Sequence, residues 1–260
     1  MTEVESPTLE QPIAKTEKAV KPFPEDGYWR PSNIVAGAMV TAAMQTFFLL
    51  RASGTENIPR TGPLIIAPNH ASYLDPTVVA AVVHPYRHIY WLAWQALFKQ
   101  PVFAALIRSL GAVPVDTAAR SDRGAYSASL RVLNAGKAIC IFPEGERGWD
   151  GKLLPLQQGV VRLSMATGAA ILPFAIHGAL EAWPRWKATP QPLSPITARI
   201  MPPIYPPAAH TPADRRAAAP KIMRELELSL SAGMESLKAA RGRGGSTLPQ
   251  GPASPEPVKR

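Results

Sequence analysis

His70 and Asp75, separated by four residues in Pro68-Asn69-His70-Ala71-Ser72-Tyr73-Leu74-Asp75-Pro76, are the pair whose types and spacing suit proton transfer. An imidazole titrating near neutral pH can take a proton from a hydroxyl. A carboxylate on its other nitrogen fixes the tautomer and stabilises the imidazolium that forms. In such a scheme the substrate's own hydroxyl is the nucleophile, so neither serine nor cysteine is required. A plainer reading uses the same residues: Asp75 caps a helix, worth ~1 kcal/mol, Pro76 opens it, and His70 is a satisfied turn histidine. A second polar loop, Pro143-Glu144-Gly145-Glu146-Arg147-Gly148, is followed by Lys152 and by a helical pattern starting near Gly159. Arg147, Lys152 and the first amides of that helix suit a phosphate, and a charged surface turn is the plain alternative.

Both loops follow short apolar runs. Leu64-Ile65-Ile66-Ala67 is too brief for a helix and reads as a buried strand, as does Ala138 to Phe142. His70 then lies on a strand-to-helix turn, and Glu144 at the end of another strand, the edge where open α/β sheets place their ligands. Further strands are expected at His88–Leu92, Gly111–Asp116, Ile171–Ile176 and Thr197–Met201. Helices are expected over Thr77–Val83, over Ala93–Leu110 with an interruption at Pro101, and from Ser121 to the stop at Gly136. Trp91, Trp94, Phe98 and Phe103 read as core or as walls of an acyl groove. Ile222, Leu226, Leu230, Met234 and Leu237 recur at helical spacing between Ala213 and Leu237, a face suited to packing on the core. Trp183-Pro184-Arg185-Trp186-Lys187 mixes aromatic and basic residues, which fits either a headgroup layer or an exposed flap. His84 and His88 flank a loop without ligand spacing and are given no role.

The pattern predicts one α/β domain, a mostly parallel or mixed central sheet flanked by helices, with an N-terminal membrane-associated helix. The organisation expected is a disordered tail over 1–32, the membrane-associated helix over 33–52, the catalytic domain with its C-terminal amphipathic helix over 53–240, and a disordered tail over 241–260. The run Ile34 to Leu50 carries no charge, and Arg51 ends it. As a helix it would measure ~25 Å, short of the ~30 Å hydrocarbon layer. Together with Thr41, Gln45 and Thr46 this favours a helix lying in or dipping into one leaflet, with a buried helix as the alternative.

Charge and cysteine content exclude several classes. The 260 residues carry 28 basic and 19 acidic side chains, net +9, and residues 51–210 alone carry +7. A basic domain suits anionic membranes or phosphorylated substrates. No nucleic-acid fingerprint accompanies the charge, so no nucleic-acid partner is expected. The single cysteine, Cys140, sits in a strand-like run and leaves no internal disulfide or cysteine metal cluster. No metal ligands accompany His70, and no nucleophile elbow of the G-x-S-x-G kind is present, which argues against metal-dependent and serine hydrolases.

Taken in order, the motifs resemble the lysophospholipid acyltransferase family, the 1-acylglycerol-3-phosphate acyltransferases and related HX4D glycerolipid acyltransferases, over roughly Gly54 to Pro207. Asn69-His70-(four residues)-Asp75 is similar to the first family motif, Phe142-Pro143-Glu144-Gly145-Glu146-Arg147 to the third, and Ile171-Leu172-Pro173-Phe174-Ala175-Ile176 to the fourth. The resemblance implies that His70 deprotonates an acceptor hydroxyl and Asp75 orients it. It further implies that Glu144 and Gly145 shape the acceptor pocket, and that Arg147 binds a phosphate. The implied donor is acyl-CoA or acyl-ACP as co-substrate, with no cofactor and no metal. The implied product is phosphatidic acid, made from lysophosphatidic acid at the cytoplasmic face of the cell membrane among membrane lipids. Two positions depart from the family pattern. The second motif usually ends Val-Asp-Arg, and here Val115-Asp116 is followed by Thr117. Either Arg120 or Arg123 replaces that arginine, or the acceptor is a lysolipid lacking the phosphate monoester. Glu146 stands where the family commonly has Thr, unfavourable beside a phosphate unless it points away or pairs with Arg147. A non-catalytic membrane-binding protein is the remaining alternative, and it would not need His70.

Overall fold

A computed structural model describes residues 31–94, 99–100, 112–115, 123–208 and 211–242. Among the described residues, seven strands form one mixed sheet: β1 (Arg51–Ser53), β2 (Leu64–Pro68), β3 (Ile89–Trp94), β4 (Ala112–Val115), β5 (Ala138–Cys140), β6 (Ala170–His177) and β7 (Thr197–Ile200). Their order is β1-β7-β6-β2-β5-β3-β4. Every neighbouring pair is parallel except β6 and β7. The central β2 reads as a continuous apolar run because both its faces are covered. Leu64 and Ile66 face one core cluster, Ile65 and Ala67 the other, and none of the four has measurable exposure.

One face carries α1 (Pro31–Phe48) and α2 (Asp75–Val83); the other carries α3 (Arg123–Asn134), α4 (Gly159–Thr167) and α6 (Pro212–Gly242). A short α5 (Ala179–Ala182) follows β6. Ile222, Leu226 and Leu230 are buried in the second cluster, so the C-terminal helix packs on the sheet as its spacing predicts.

Several boundaries differ from expectation. Ala93 and Trp94 extend β3 instead of opening a helix, because β3 pairs in register with β4 from Trp91–Ala112 to Trp94–Val115. β5 ends at Cys140. The C-terminal helix continues to Gly242, past the expected end at Leu237. The expected helix beyond residue 94, with Phe98 and Phe103, and the tails 1–30 and 243–260 lie outside the described residues.

α1 begins at Pro31 and stops at Phe48, where Leu49 takes a left-handed φ of 47°. It is docked on α2: the Thr41 hydroxyl donates to the Ala81 carbonyl at 3.0 Å, and Met44 is buried. At Gly37 a Cβ would overlap the His84 imidazole, so glycine is what lets the two helices approach. Among the described residues no helix is long and apolar enough to cross a membrane.

Candidate active site

The parallel strands β2 and β5 end side by side, and the turns that leave them meet. After β2, Asn69 is held by β6: its side-chain amide donates to the Ile176 carbonyl at 3.1 Å, and its side-chain oxygen accepts from the Ile176 amide at 2.7 Å. That exchange replaces a strand pairing where the chain leaves the sheet, and it fixes the direction from which His70 emerges.

His70 Nδ1 lies 2.9 Å from Asp75 Oδ2. The same oxygen accepts the Ala71 and Ser72 amides, both at 2.7 Å. Asp75 is therefore not the helix cap proposed from sequence. Leu74 occupies the cap position without a side-chain cap bond, and Asp75 is the first residue of α2, facing back into its own turn. The carboxylate is 1% exposed, and its Oδ1 has no partner. With Asp75 accepting at Nδ1–H, the tautomer leaves Nε2 with a free lone pair, and Nε2 has no partner among the described residues. The His70 ring stacks on Phe142, 3.9 Å between centroids. A ring fixed by a hydrogen-bond partner and a stacking partner can present Nε2 in one direction only.

Glu144 is placed differently from the pocket wall that the resemblance implies. It is 4% exposed, and both oxygens are used on main-chain amides: Oε1 accepts from His70 at 2.6 Å, Oε2 from Leu154 at 2.7 Å. Burial pushes its pKa up to about 7 although both hydrogen bonds favour the ionised form; the nearby Asp75 charge adds to the rise. The loop is bonded a third time where the Gly148 amide donates to the His70 carbonyl at 2.8 Å. A Cβ at Gly148 would sit 3.3 Å from the Lys152 carbonyl and 3.6 Å from that of His70. Gly145 has φ 76°, a turn conformation that glycine adopts without strain.

The basic residues divide. Arg147 lies over the Tyr73 ring, its guanidinium carbon 3.8 Å from the centroid, beside the His70 turn. Lys152 is 84% exposed and pairs with Asp150 at 3.2 Å. Glu146 is exposed and makes no ion pair with Arg147. Arg120 and Thr117 lie outside the described residues, as does the Arg123 side chain. The segment Trp183–Lys187, expected as a headgroup loop or an exposed flap, packs against the His70 turn. Ser72 bridges to Pro184, and the Ser72 hydroxyl donates to the Trp183 carbonyl at 2.7 Å while accepting from the Leu74 amide at 3.1 Å. The mixture of aromatic and basic residues was visible in sequence; contact with Ser72 was not. Beside this segment a cavity of about 700 Å³ is bordered by Asn69, Asp75, Trp149, Leu180, Trp186 and Met234, among others.

Residues 50–177, which contain every one of these turns except the last, match the family model described as Acyltransferase. The chain belongs to the acyltransferase family. Its relatives include a chloroplastic 1-acyl-sn-glycerol-3-phosphate acyltransferase of Brassica napus, 25% identical over 154 residues that cover 58% of this chain and 44% of that one. Another is the 1-acyl-sn-glycerol-3-phosphate acyltransferase of Borreliella burgdorferi, 30% identical over 129 residues, 48% of this chain and 50% of that one. The chain thus spans about half the length of the curated relatives it matches. The crystal structure of the 1-acyl-sn-glycerophosphate (LPA) acyltransferase PlsC from Thermotoga maritima shares its fold, with a TM-score of 0.64, 24% identity and 80% of each chain covered. In this acyltransferase-family chain, the mixed sheet flanked by helices is the architecture expected from sequence.

Proposed function

We propose that the chain transfers an acyl group from an acyl thioester, acyl-CoA or acyl-ACP, to the free hydroxyl of 1-acyl-sn-glycerol-3-phosphate, giving phosphatidic acid. The observation that carries this reading is the 2.9 Å contact between His70 Nδ1 and the buried Asp75 Oδ2 at the edge of the sheet. His70 Nε2 takes the hydroxyl proton as the oxygen attacks the thioester carbonyl, forming the new C–O bond. The C–S bond then breaks, and the imidazolium returns its proton to the leaving thiolate. Asp75 stabilises the imidazolium between those steps. General-base help of this kind typically contributes ~10²–10⁴ in rate. No acyl-enzyme forms, and no cofactor or metal enters the scheme.

Arg147 is assigned to the acceptor's phosphate. Its guanidinium rests on Tyr73, one residue beyond the Ser72 tie, and has no carboxylate partner among the described residues. Membrane contact is assigned to α1. Gly37, Thr41 and Met44 face α2 or the core, while Ile34, Val35, Met39 and Phe47 are exposed on a helix without a charged residue. An outward face as apolar as the inward one suits a bilayer surface better than water. The site would then work at the cytoplasmic face of the cell membrane.

Thiol release from acyl-CoA, and separately from acyl-ACP, in mixed micelles tests the reading. Release that requires both lysophosphatidate and His70 supports it. Equal turnover of an uncharged monoacylglycerol would shift the assignment to a lysolipid without the phosphate. Release without an acceptor would make the protein a thioesterase.

A further inference from the structure

The proposed reaction leaves open what replaces the arginine absent from position 117, and the segment after β6 holds a candidate that lies far from it in sequence. Arg185 Nη1 donates to the Arg147 carbonyl at 3.0 Å. Its guanidinium carbon sits 3.8 Å from the centroid of Trp149, which is stacked parallel to Trp186 at 6.3 Å. Arg147 is mounted the same way on Tyr73, and Tyr73 in turn lies 5.5 Å from Trp183. Two guanidiniums from different loops are thus held on aromatic platforms, Arg147 over Tyr73 in the turn that carries His70 and Arg185 beside the Arg147 main chain. Among the described residues neither forms an ion pair. The Lys152–Asp150 and Arg241–Glu181 ion pairs and the His70–Asp75 contact leave both out.

Two neighbouring cations without a carboxylate repel each other, and an anion placed between them relieves the repulsion while completing their unused donors. Stacking on aromatic rings holds each guanidinium without using up its donor edge. The acceptor has its phosphate on the carbon next to the reacting hydroxyl, so a phosphate seated beside the His70 turn brings that hydroxyl to Nε2. We propose that Arg185 is a second cation for the acceptor's phosphate monoester, acting with Arg147 in place of the arginine that Thr117 lacks. This rests on the lysophosphatidate reading given above. It makes Arg185 a determinant of acceptor choice, and Trp149 its platform.

The phosphates of coenzyme A are the competing source of the same chemistry, and kinetics with two donors separates them. Arg185→Ala, Arg185→Lys and Arg185→Gln are compared with wild type, using lysophosphatidate and a monoacylglycerol as acceptors, and acyl-CoA and acyl-ACP as donors. Thermal melts establish that each variant is folded. Arg185→Gln retains a donor for the Arg147 carbonyl without the charge, so a purely structural role would survive in it. The expected result is a KM for lysophosphatidate raised about tenfold to a hundredfold in the Gln and Ala variants, with kcat changed far less. Arg185→Lys recovers part of the loss, and the donor KM stays the same for both donors. A Gln variant equal to wild type overturns the inference while the proposed function stands. So does a rise confined to the KM for acyl-CoA. Wild-type protein that turns over monoacylglycerol and ignores lysophosphatidate overturns the proposed function, and the inference with it.

Discussion

The Glu144 carboxylate and the His70 main-chain amide are joined at 2.6 Å, which ties the turn after β2 to the loop after β5. The other Glu144 oxygen reaches ten residues along the chain to the Leu154 amide. Together with the bond from Gly148 to the His70 carbonyl, this fixes the main chain of His70 on both sides. Glu144 thereby sets where His70 points without touching its ring.

Glutamine at position 144 can accept one of those amides but must present an NH₂ group to the other. Glu144→Gln is expected to lower kcat by about tenfold to a hundredfold, with a smaller change in acceptor KM, since an unmade buried hydrogen bond costs ~1–3 kcal/mol and here displaces the base. Initial-rate kinetics checks this. An unchanged kcat would show that His70 is held without the clamp.

The same residue gives the protein a pH signature. Its folded pKa of about 7 lies above the ordinary 4.5, so the folded state holds the proton more tightly than the unfolded state. The stabilising contribution is fully present below about pH 4.5 and is lost as pH rises through about 7. Glutamine does not titrate. The stability of wild type relative to Glu144→Gln should therefore fall between pH 5 and pH 8, by roughly 1–3 kcal/mol, which urea unfolding at the two pH values would read. A gap that stays constant or widens with pH contradicts this account.

Asp75→Asn separates base pairing from packing. The side-chain oxygen of asparagine can still accept from His70 Nδ1 and from the Ala71 and Ser72 amides, so the turn persists. The negative charge that stabilises the imidazolium is gone, and the new NH₂ takes the place of the partnerless Oδ1. A loss of about 10²–10⁴ in kcat is expected from a protein that still melts cooperatively. Activity near wild type would return Asp75 to a structural role.

What was legible in sequence follows from how far each interaction reaches. His70 and Asp75 stand on one turn, five positions apart, so their pairing needed only the local chain. The strands were visible because burial on both faces writes itself as an apolar run, as in Leu64–Ala67. The clamp made by Glu144 is not legible in sequence because its partners are main-chain amides, which no residue type marks. Arg87 is a second example. It is buried and donates to the carbonyls of Pro59, Thr61, Gly62 and Gly136, and burial lowers its pKa to about 10. The Trp183–Arg185 segment was recognised as unusual, but its contact with Ser72 spans more than a hundred residues and depends on β6 lying beside β2.

Cys140 offers a probe of the fold. It is buried in β5 with its thiol pKa pushed well above the usual value, chiefly by burial, so the thiolate that reacts with alkylating or disulfide reagents is scarce in the folded protein. Labelling should track global unfolding and leave acyl transfer untouched until then. Rapid labelling of active enzyme would mean that the sheet opens locally at β5.

Membrane contact through α1 is testable because its outward residues are not needed for packing. Val35 and Met39 are exposed, whereas the helix is held to α2 through Thr41, Gly37 and Met44. Leu49 and Leu193 extend the same question beyond the helix. Both are exposed and both hold left-handed backbone, φ 47° and 61°, and the Leu193 amide donates to the Phe47 carbonyl at 2.6 Å. Leucine in that conformation is strained, and exposing it to water recovers nothing. Immersion of the side chains in lipid would supply what the fold does not. Each apolar side chain moved into the acyl boundary contributes ~1.5–3 kcal/mol, so Val35→Glu with Met39→Glu should weaken binding to anionic vesicles by at least tenfold, and Leu193→Glu by a similar step. Soluble thioester turnover and the melting temperature should change little. Sedimentation with vesicles reads the difference, and variants that bind as tightly as wild type would place the membrane surface elsewhere on the molecule.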